Sequence, residues 1–343
     1  MGQYWQLFNA SSLWVSCNCG KPGEFFCSEG LPIHIRHFTI PAWSEQSKAM
    51  LCAKYPQVTH RSASPESKLL CLPDELLSMI FKYMTGLADA VCLCMADDRM
   101  FAIGFPRVIE LQASAYANWA GDHVLCMGDN TDDNDLPESI QGTVDDYLEE
   151  WWEEYLLSED YGRSLDAYLN VKDLVQKVET GFYTEEHVRS NRSLGSWPPK
   201  GFKSTKDWYL YKEMIQPKYE LLHPWVLCNL SKGKYVRADV VAALTGEKLS
   251  ESEPFISGGI DLGHALLSQI CWLSVGSIAM SYDDNLHCGP WAGDQFEVTS
   301  MDKLDLKTTW EDVSDDIAKI LVKIWESEYG ADWKEEVRQR WAW

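Results

Sequence analysis

The sequence predicts an α+β protein made of two copies of a small β-rich module. The first copy is interrupted by a helical insert, a helical connector joins the copies, and a helix closes the C-terminus. Three observations predict this. Trp5-Gln6-Leu7-Phe8-Asn9 returns as Trp225-Val226-Leu227-Cys228-Asn229, at an offset of 220 residues. Trp119-Ala120-Gly121-Asp122 returns as Trp291-Ala292-Gly293-Asp294, at an offset of 172. The landmarks keep their order, so the first copy holds 48 more residues between them. Ordered self-similarity of this kind is the mark of a repeated structural unit.

Each copy opens with a hairpin pattern. Trp5 and Leu7 precede a polar turn at Ser11-Ser12, then Leu13 and Val15 follow. Trp225 and Leu227 precede Ser231-Lys232-Gly233-Lys234, then Tyr235 and Val236 follow. A helix-like stretch comes next, expected at 49–55 in the first copy and at 262–272 in the second, where Leu262, Leu266 and Ile270 form a stripe. Each copy then reaches Trp-Ala-Gly-Asp and a β-rich run, 123–127 and 295–299. Gly permits a tight turn there, and Asp can bond its own backbone. The boundaries that follow are 1–58 with 115–137 for the first module, 69–113 for the insert, 138–221 for an acidic helix and connector, and 222–343 for the second module.

The insert begins after a polar linker, 59–68. Leu72-Pro73-Asp74-Glu75 is a sound helix start, because Pro suits the first helical position and acids favour the positive end of the helix dipole. Leu76, Leu77, Ile80, Phe81 and Met84 make a broad apolar face, and Gly86 ends the helix. These residues resemble an F-box. That family opens with Leu-Pro-x-Glu, two aliphatics, two spacers, Ile-Phe, a spacer, an aromatic and an aliphatic. Leu72, Pro73, Glu75, Leu76, Leu77, Ile80, Phe81, Tyr83 and Met84 match it place by place. The resemblance covers 69–113. It departs at Asp97-Asp98-Arg99-Met100, which places two acids where the family usually carries Cys, then Lys or Arg, ahead of an Arg and an apolar or aromatic residue. The whole chain also resembles a basidiomycete family with a Met-Gly-Gln-Tyr-Trp start, an F-box-like middle and Trp-Ala-Gly-Asp followed by Gly-Asp, here Gly128-Asp129.

Beyond the insert, 129–138 reads as an acidic loop. Tyr147, Leu148, Trp151, Trp152, Tyr155 and Leu156 give an acidic amphipathic helix. Residues 158–216 read as a connector with one or two helices. Val313, Ile317, Ile320, Leu321, Ile324 and Trp325 give a final helix stopped near Gly330.

Composition excludes several classes of function. With 52 acids against 30 bases, the net charge of −22 opposes phosphate tracking and polybasic membrane binding. No apolar run is long enough to span a bilayer. The first residues lack the basic and apolar regions of a secretory signal. Eleven irregularly spaced Cys read as reduced thiols, which places the chain in the cytoplasm or nucleus. The glycosylation triplets at Asn9, Asn191 and Asn229 then carry no glycan.

Catalytic and metal signals are weak. Cys17, Cys19 and Cys27 with His34 and His37 are too tightly spaced for a standard zinc site. Asp129, Asp132, Asp133 and Asp135 lack the Gly and Glu of a calcium loop. His287-Cys288 offers a thiol–imidazole pair, but the partners are adjacent in sequence. No cofactor is expected and no catalytic set stands out. The F-box resemblance implies an adaptor that recruits a substrate protein to a cullin–RING ubiquitin ligase through a Skp-family protein, with Leu72, Pro73, Glu75, Leu76, Leu77, Ile80 and Phe81 as the contact residues. The alternative is a small-molecule-binding or catalytic protein. There Trp119 and Trp291 would stack a ligand in paired clefts, with Asp122 and Asp294 fixing a polar group. The charge gives one direct expectation: micromolar protein produces no salt-sensitive shift of DNA or RNA on a native gel at physiological salt.

Overall fold

A computed structural model describes residues 5–12, 14–15, 21–27, 35–59, 67–128, 131, 136–142, 205–219, 224–246, 259–273, 278, 280–282, 284–305 and 307–341. Within them the α+β class holds: two four-stranded mixed sheets and ten α-helices. In chain order these are β1 (Trp5–Asn9), β2 (Trp14–Val15), α1 (Pro22–Cys27), α2 (Glu45–Thr59), α3 (Asp74–Tyr83), α4 (Leu87–Cys94), α5 (Asp98–Tyr116), β3 (Val124–Gly128), α6 (Thr205–Ile215), β4 (Trp225–Asn229), β5 (Lys234–Arg237), α7 (Ala238–Ala242), α8 (Leu262–Ile270), β6 (Cys271–Trp272), β7 (Phe296–Ser300), β8 (Glu311–Asp312), α9 (Ser314–Tyr329) and α10 (Trp333–Trp341). No described helix is long and apolar enough to cross a membrane. The amphipathic stretch expected at 144–156 lies outside the described residues, as do Cys17, Cys19, His34, Asp129, Asp132, Asp133 and Asp135.

The sheets run β2-β1-β3-β6 and β7-β4-β5-β8. β1 pairs antiparallel with β3 from Trp5 opposite Gly128 to Asn9 opposite Val124. β4 pairs antiparallel with β7 from Trp225 opposite Ser300 to Asn229 opposite Phe296. Shifting the first register by 220 and 172 residues gives the second, so the repeat seen in sequence is also a repeat of hydrogen-bond register. The two sheets also exchange segments. β6 lies parallel beside β3, with Cys271 opposite Cys126. Thr39 lies parallel beside β7, opposite Val298. Cys126 and Val298 are equivalent positions, so Thr39 matches Cys271.

This register moves one equivalence expected from sequence. The first-half partner of 271–272 is the stretch at Thr39, not the helical stretch at 49–55. The latter lies in α2, beyond the exchange point. Thr39 to Asp122 spans 83 positions and Cys271 to Asp294 spans 23, so the extra length of the first half lies after Thr39 and takes in α2. Backbone pairing decides the matter, and a helical period shared by two segments does not.

Two apolar cores result. The larger joins the sheets to α8 and α9, through Trp5, Leu7, Cys126, Leu227, Val298, Leu266, Leu321 and Trp325. α9 is the helix that the sequence predicts to stop near Gly330, and a further helix, α10, follows it beyond that expectation. α9 buries Ile317, Leu321, Ile324 and Trp325, and at its end Gly330 takes φ 73°. The second core is helical: Leu51 of α2, Leu77 and Phe81 of α3, Val91 of α4, Phe105 of α5 and Met214 of α6. α6 comes from beyond residue 200, so α3, α4 and α5 are closed by a distant segment instead of standing out by themselves. Gln112, fully buried on α5, ties the layers together. Its Oε1 accepts from Trp43 Nε1 at 2.7 Å, and its Nε2 donates to the carbonyls of Met214 and Gln216.

Where α5 crosses α3 and α4, Gly104 removes a side chain. A Cβ there would lie 2.3 Å from the Phe81 ring and 2.6 Å from Cys94 Sγ. Both neighbours are buried and have little room to move. Gly104→Ala should therefore lower stability by about 1–3 kcal/mol, read as a lower midpoint in chemical denaturation with an unchanged slope.

Candidate functional site

α3 follows from its sequence. Pro73 stands at its N-cap, Asp74 and Glu75 in its first turn, and Lys82 in its last. No side chain caps the N-terminus, although the Pro73 carbonyl accepts from the amides of Leu76 and Leu77. The helix anchors itself with Leu77 and Phe81, which are 0% and 1% exposed. Ile80 and Leu72 are half-buried and pack on the same helical core. Pro73 and Glu75 are exposed. The opposite face carries Leu76, Met79 and Tyr83, at 44%, 50% and 79% exposure. Spacings of three, four and seven put these three on one stripe.

The expected contact residues therefore divide. Leu77 and Phe81 are core, Leu72 and Ile80 sit at the boundary, and Leu76 faces out. Met79 and Tyr83 join Leu76. Met79 stood in the helix but outside the motif positions singled out from sequence. Its outward placement follows from the positions of Leu77 and Phe81.

Arg99 holds the start of α3. Its Nε donates to Asp74 Oδ1 at 2.7 Å, Nη1 to the Leu70 carbonyl at 2.7 Å, and Nη2 to the Leu72 carbonyl at 2.8 Å. Asp97 caps α5 by accepting from the Arg99 amide at 2.9 Å. Arg107 Nη2 donates to the Met84 carbonyl at the far end of α3, at 3.0 Å. Asp97 thus serves as a helix cap and Arg99 as a clamp.

The Trp-Ala-Gly-Asp corners are internal joints. Trp119 and Trp291 are 2% and 4% exposed. Trp119 stacks on His37 at 5.4 Å and meets the edge of Phe38, while Trp291 lies tilted against Phe296. Asp122 accepts from Asn9 Nδ2 at 2.7 Å, and Asp294 from Asn229 Nδ2 at 2.7 Å. These partners are 113 and 65 residues apart, which restates the 48-residue difference as two matching bonds. Asn9 Oδ1 accepts from the amides of Ser11 and Ser12, and Asn229 Oδ1 from that of Lys232. Ser11 Oγ accepts from the His123 amide and Ser231 Oγ from the Gln295 amide, both at 2.9 Å. Lys232 Nζ also reaches Asp294 Oδ2 at 2.8 Å, a cation the first corner lacks because Ser12 stands there. The Asn-x-Ser triplets at 9 and 229 are thus turn chemistry, with both Asn side chains fully buried. Their role was open to reading from sequence in one respect: each Asn closes the repeated pentapeptide.

Neither corner Trp offers a ring face to solvent, since both are buried. A shallow polar depression of about 400 Å³ lies elsewhere, lined by Ser281, Tyr282, Asp284, Lys323, Glu326 and Ser327. Cys288 is exposed, but the neighbouring His287 Nδ1 is buried and makes no hydrogen bond, so that nitrogen does not activate the thiol. No group of three or more His, Cys, Asp or Glu among the described residues could hold a metal ion. The buried thiols Cys94 and Cys126 are pushed up, Cys94 to about 12 by burial and Cys126 by its hydrogen bond to Cys271 and by burial, so both remain protonated at neutral pH. In comparisons with known proteins, no family model, no curated protein and no solved structure matches the chain.

His37 connects corner and insert. Its ring stacks on Trp119, and its Nδ1 meets Asn118 Oδ1 at 2.8 Å, just past the end of α5. Burial lowers its pKa, and the bond to Asn118 only partly opposes this. Below the ordinary histidine value of about 6.5, the unfolded chain takes up a proton here before the folded chain does. The contribution of His37 is thus complete above that pH and declines as pH falls through it. His37→Gln should flatten this decline, seen as a smaller drop in melting temperature between pH 7.5 and pH 5.5 than in the wild type.

Proposed function

We propose that the protein is a docking adaptor of the F-box type. The outer stripe of α3 binds a Skp-family protein of a cullin–RING ubiquitin ligase, and the β body holds a substrate protein. One observation carries this reading: three of the large exposed apolar side chains among the described residues, Leu76, Met79 and Tyr83, share one face of the helix that matches the F-box motif. Exposed apolar patches of this kind mark interaction surfaces. The inner face is already committed to the core, so the outer stripe is free to be covered without unfolding anything.

The same reading takes the two halves as copies of one module, joined by segment exchange, with the helical insert carried on the first. Matched registers and matched Asn–Asp bonds support it. The corners serve the body by holding it rigid, and no observation favours a ligand at Trp119, Asp122, Trp291 or Asp294.

Docking would gain from burying the stripe. A fully buried side chain of this size contributes about 1.5–3 kcal/mol, and a partly exposed one correspondingly less. The triple change Leu76→Ala, Met79→Ala, Tyr83→Ala should weaken binding to a recombinant Skp-family protein by more than about 2 kcal/mol while leaving the melting temperature within a few degrees. Phe81→Ala should do the reverse to stability, lowering it by about 3–5 kcal/mol. Calorimetry of the two variants side by side separates docking from folding, and a wild-type chain that binds no Skp-family protein refutes the reading.

A further inference from the structure

We infer that Arg99 is the positioning residue of the docking helix: it fixes the turn before α3, and so the angle at which Leu76 is presented. The inference rests on the docking reading above. α3 is only ten residues long and has no side-chain cap at its N-terminus. A helix that short is marginal by itself, so its orientation comes from its contacts. Two side chains, Leu77 and Phe81, fasten it to the core from one side. Leu69, Leu70 and Leu72 rest on the same core, but apolar contact does not fix the direction of the carbonyls that precede the helix.

Arg99 supplies that fixture. The Leu70 and Leu72 carbonyls accept from separate Nη atoms, and Asp74 accepts from Nε. The Asp74 ion pair is two-thirds exposed on the carboxylate side and counts for little by itself. The two carbonyl bonds matter more. They use the planar fork of the guanidinium to set the path of residues 70–72, which lysine, a point donor, cannot reproduce. Arg99 is itself placed by Asp97, whose carboxylate caps α5 through the Arg99 amide. Arg107 then holds the other end of α3 through Met84. A helix fixed at both ends meets its partner already ordered, and ordering that need not occur on binding is retained as affinity.

The test uses the full chain with Arg99→Ala and Arg99→Lys. Hydrogen exchange is followed in peptides covering α3, α4 and α5, and binding is measured to a recombinant Skp-family protein. Arg99→Ala should speed exchange of the Leu76 and Leu77 amides at least tenfold with α4 and α5 unchanged, and should weaken binding at least tenfold. Arg99→Lys should fall between. Unchanged α3 exchange, or an equal acceleration across α3, α4 and α5, overturns the inference, since Arg99 would then be idle or merely part of the core. Wild-type binding that Arg99→Ala leaves intact overturns the positioning role alone. A wild-type chain that does not bind overturns the docking reading and the positioning role together.

Discussion

Two glycine amides hold the halves of the β body to each other. Gly121 N–H donates to the Phe296 carbonyl at 2.8 Å, and Gly293 N–H to the Val124 carbonyl at 2.9 Å. Between them His123 lies opposite Gln295 in an antiparallel bridge, and each side chain reaches back to the other half: His123 Nδ1 to the Gly293 carbonyl, Gln295 Nε2 to the Gly121 carbonyl. Both glycines sit at φ near +80°, a region open to Gly at little cost and strained for other residues. The corner can turn there and still offer its amide across the junction. This constraint explains why Trp-Ala-Gly-Asp appears twice: the junction has the same bonds from both sides, so it needs the same corner on both sides.

Each corner is met by the turn that follows β1 or β4. Bending the chain exposes backbone amides that must find acceptors, since a buried amide without one is costly. The amides of Ser11, Ser12 and Lys232 go to the Asn side chains. The Asn Nδ2 groups then need an acceptor, and the Asp at the end of the corner is that acceptor. Asp294 is more deeply buried than Asp122 and is the one with a lysine beside it. A carboxylate withdrawn from water gains most from a second partner of opposite charge.

The helical block is organised differently. It has no ladder to set its register, so packing and single polar side chains do the work. Gln112 bonds to Trp43 on one side and to the chain end of α6 on the other, and Tyr116 donates to the Ile215 carbonyl at 3.0 Å. These bonds bring a segment from beyond residue 200 onto α5, and through Gln112 to Trp43 just before α2. The block therefore needs α6 to be complete, and on its outside the stripe of α3 leaves Leu76, Met79 and Tyr83 open to solvent.

The repeat, the α+β class, the start of α3 and α9 could all be read from sequence. Each is local: a pentapeptide, a tetrapeptide, Pro73 with two acids, a stripe from Val313 to Trp325. Which residues of α3 face inward could not be read, because Leu76, Leu77, Ile80 and Phe81 are all apolar and only the position of α5 at Gly104 selects the inner pair. Nor could the closing of the helical block by α6, the exchange of Thr39 and Cys271 between sheets, or the pairing of Asn9 with Asp122. Those depend on contacts between residues 65 or more positions apart. Spacing along a chain reports the period of an element and the chemistry of a turn; it does not report which distant carbonyl a given amide will find, and that choice is made by packing.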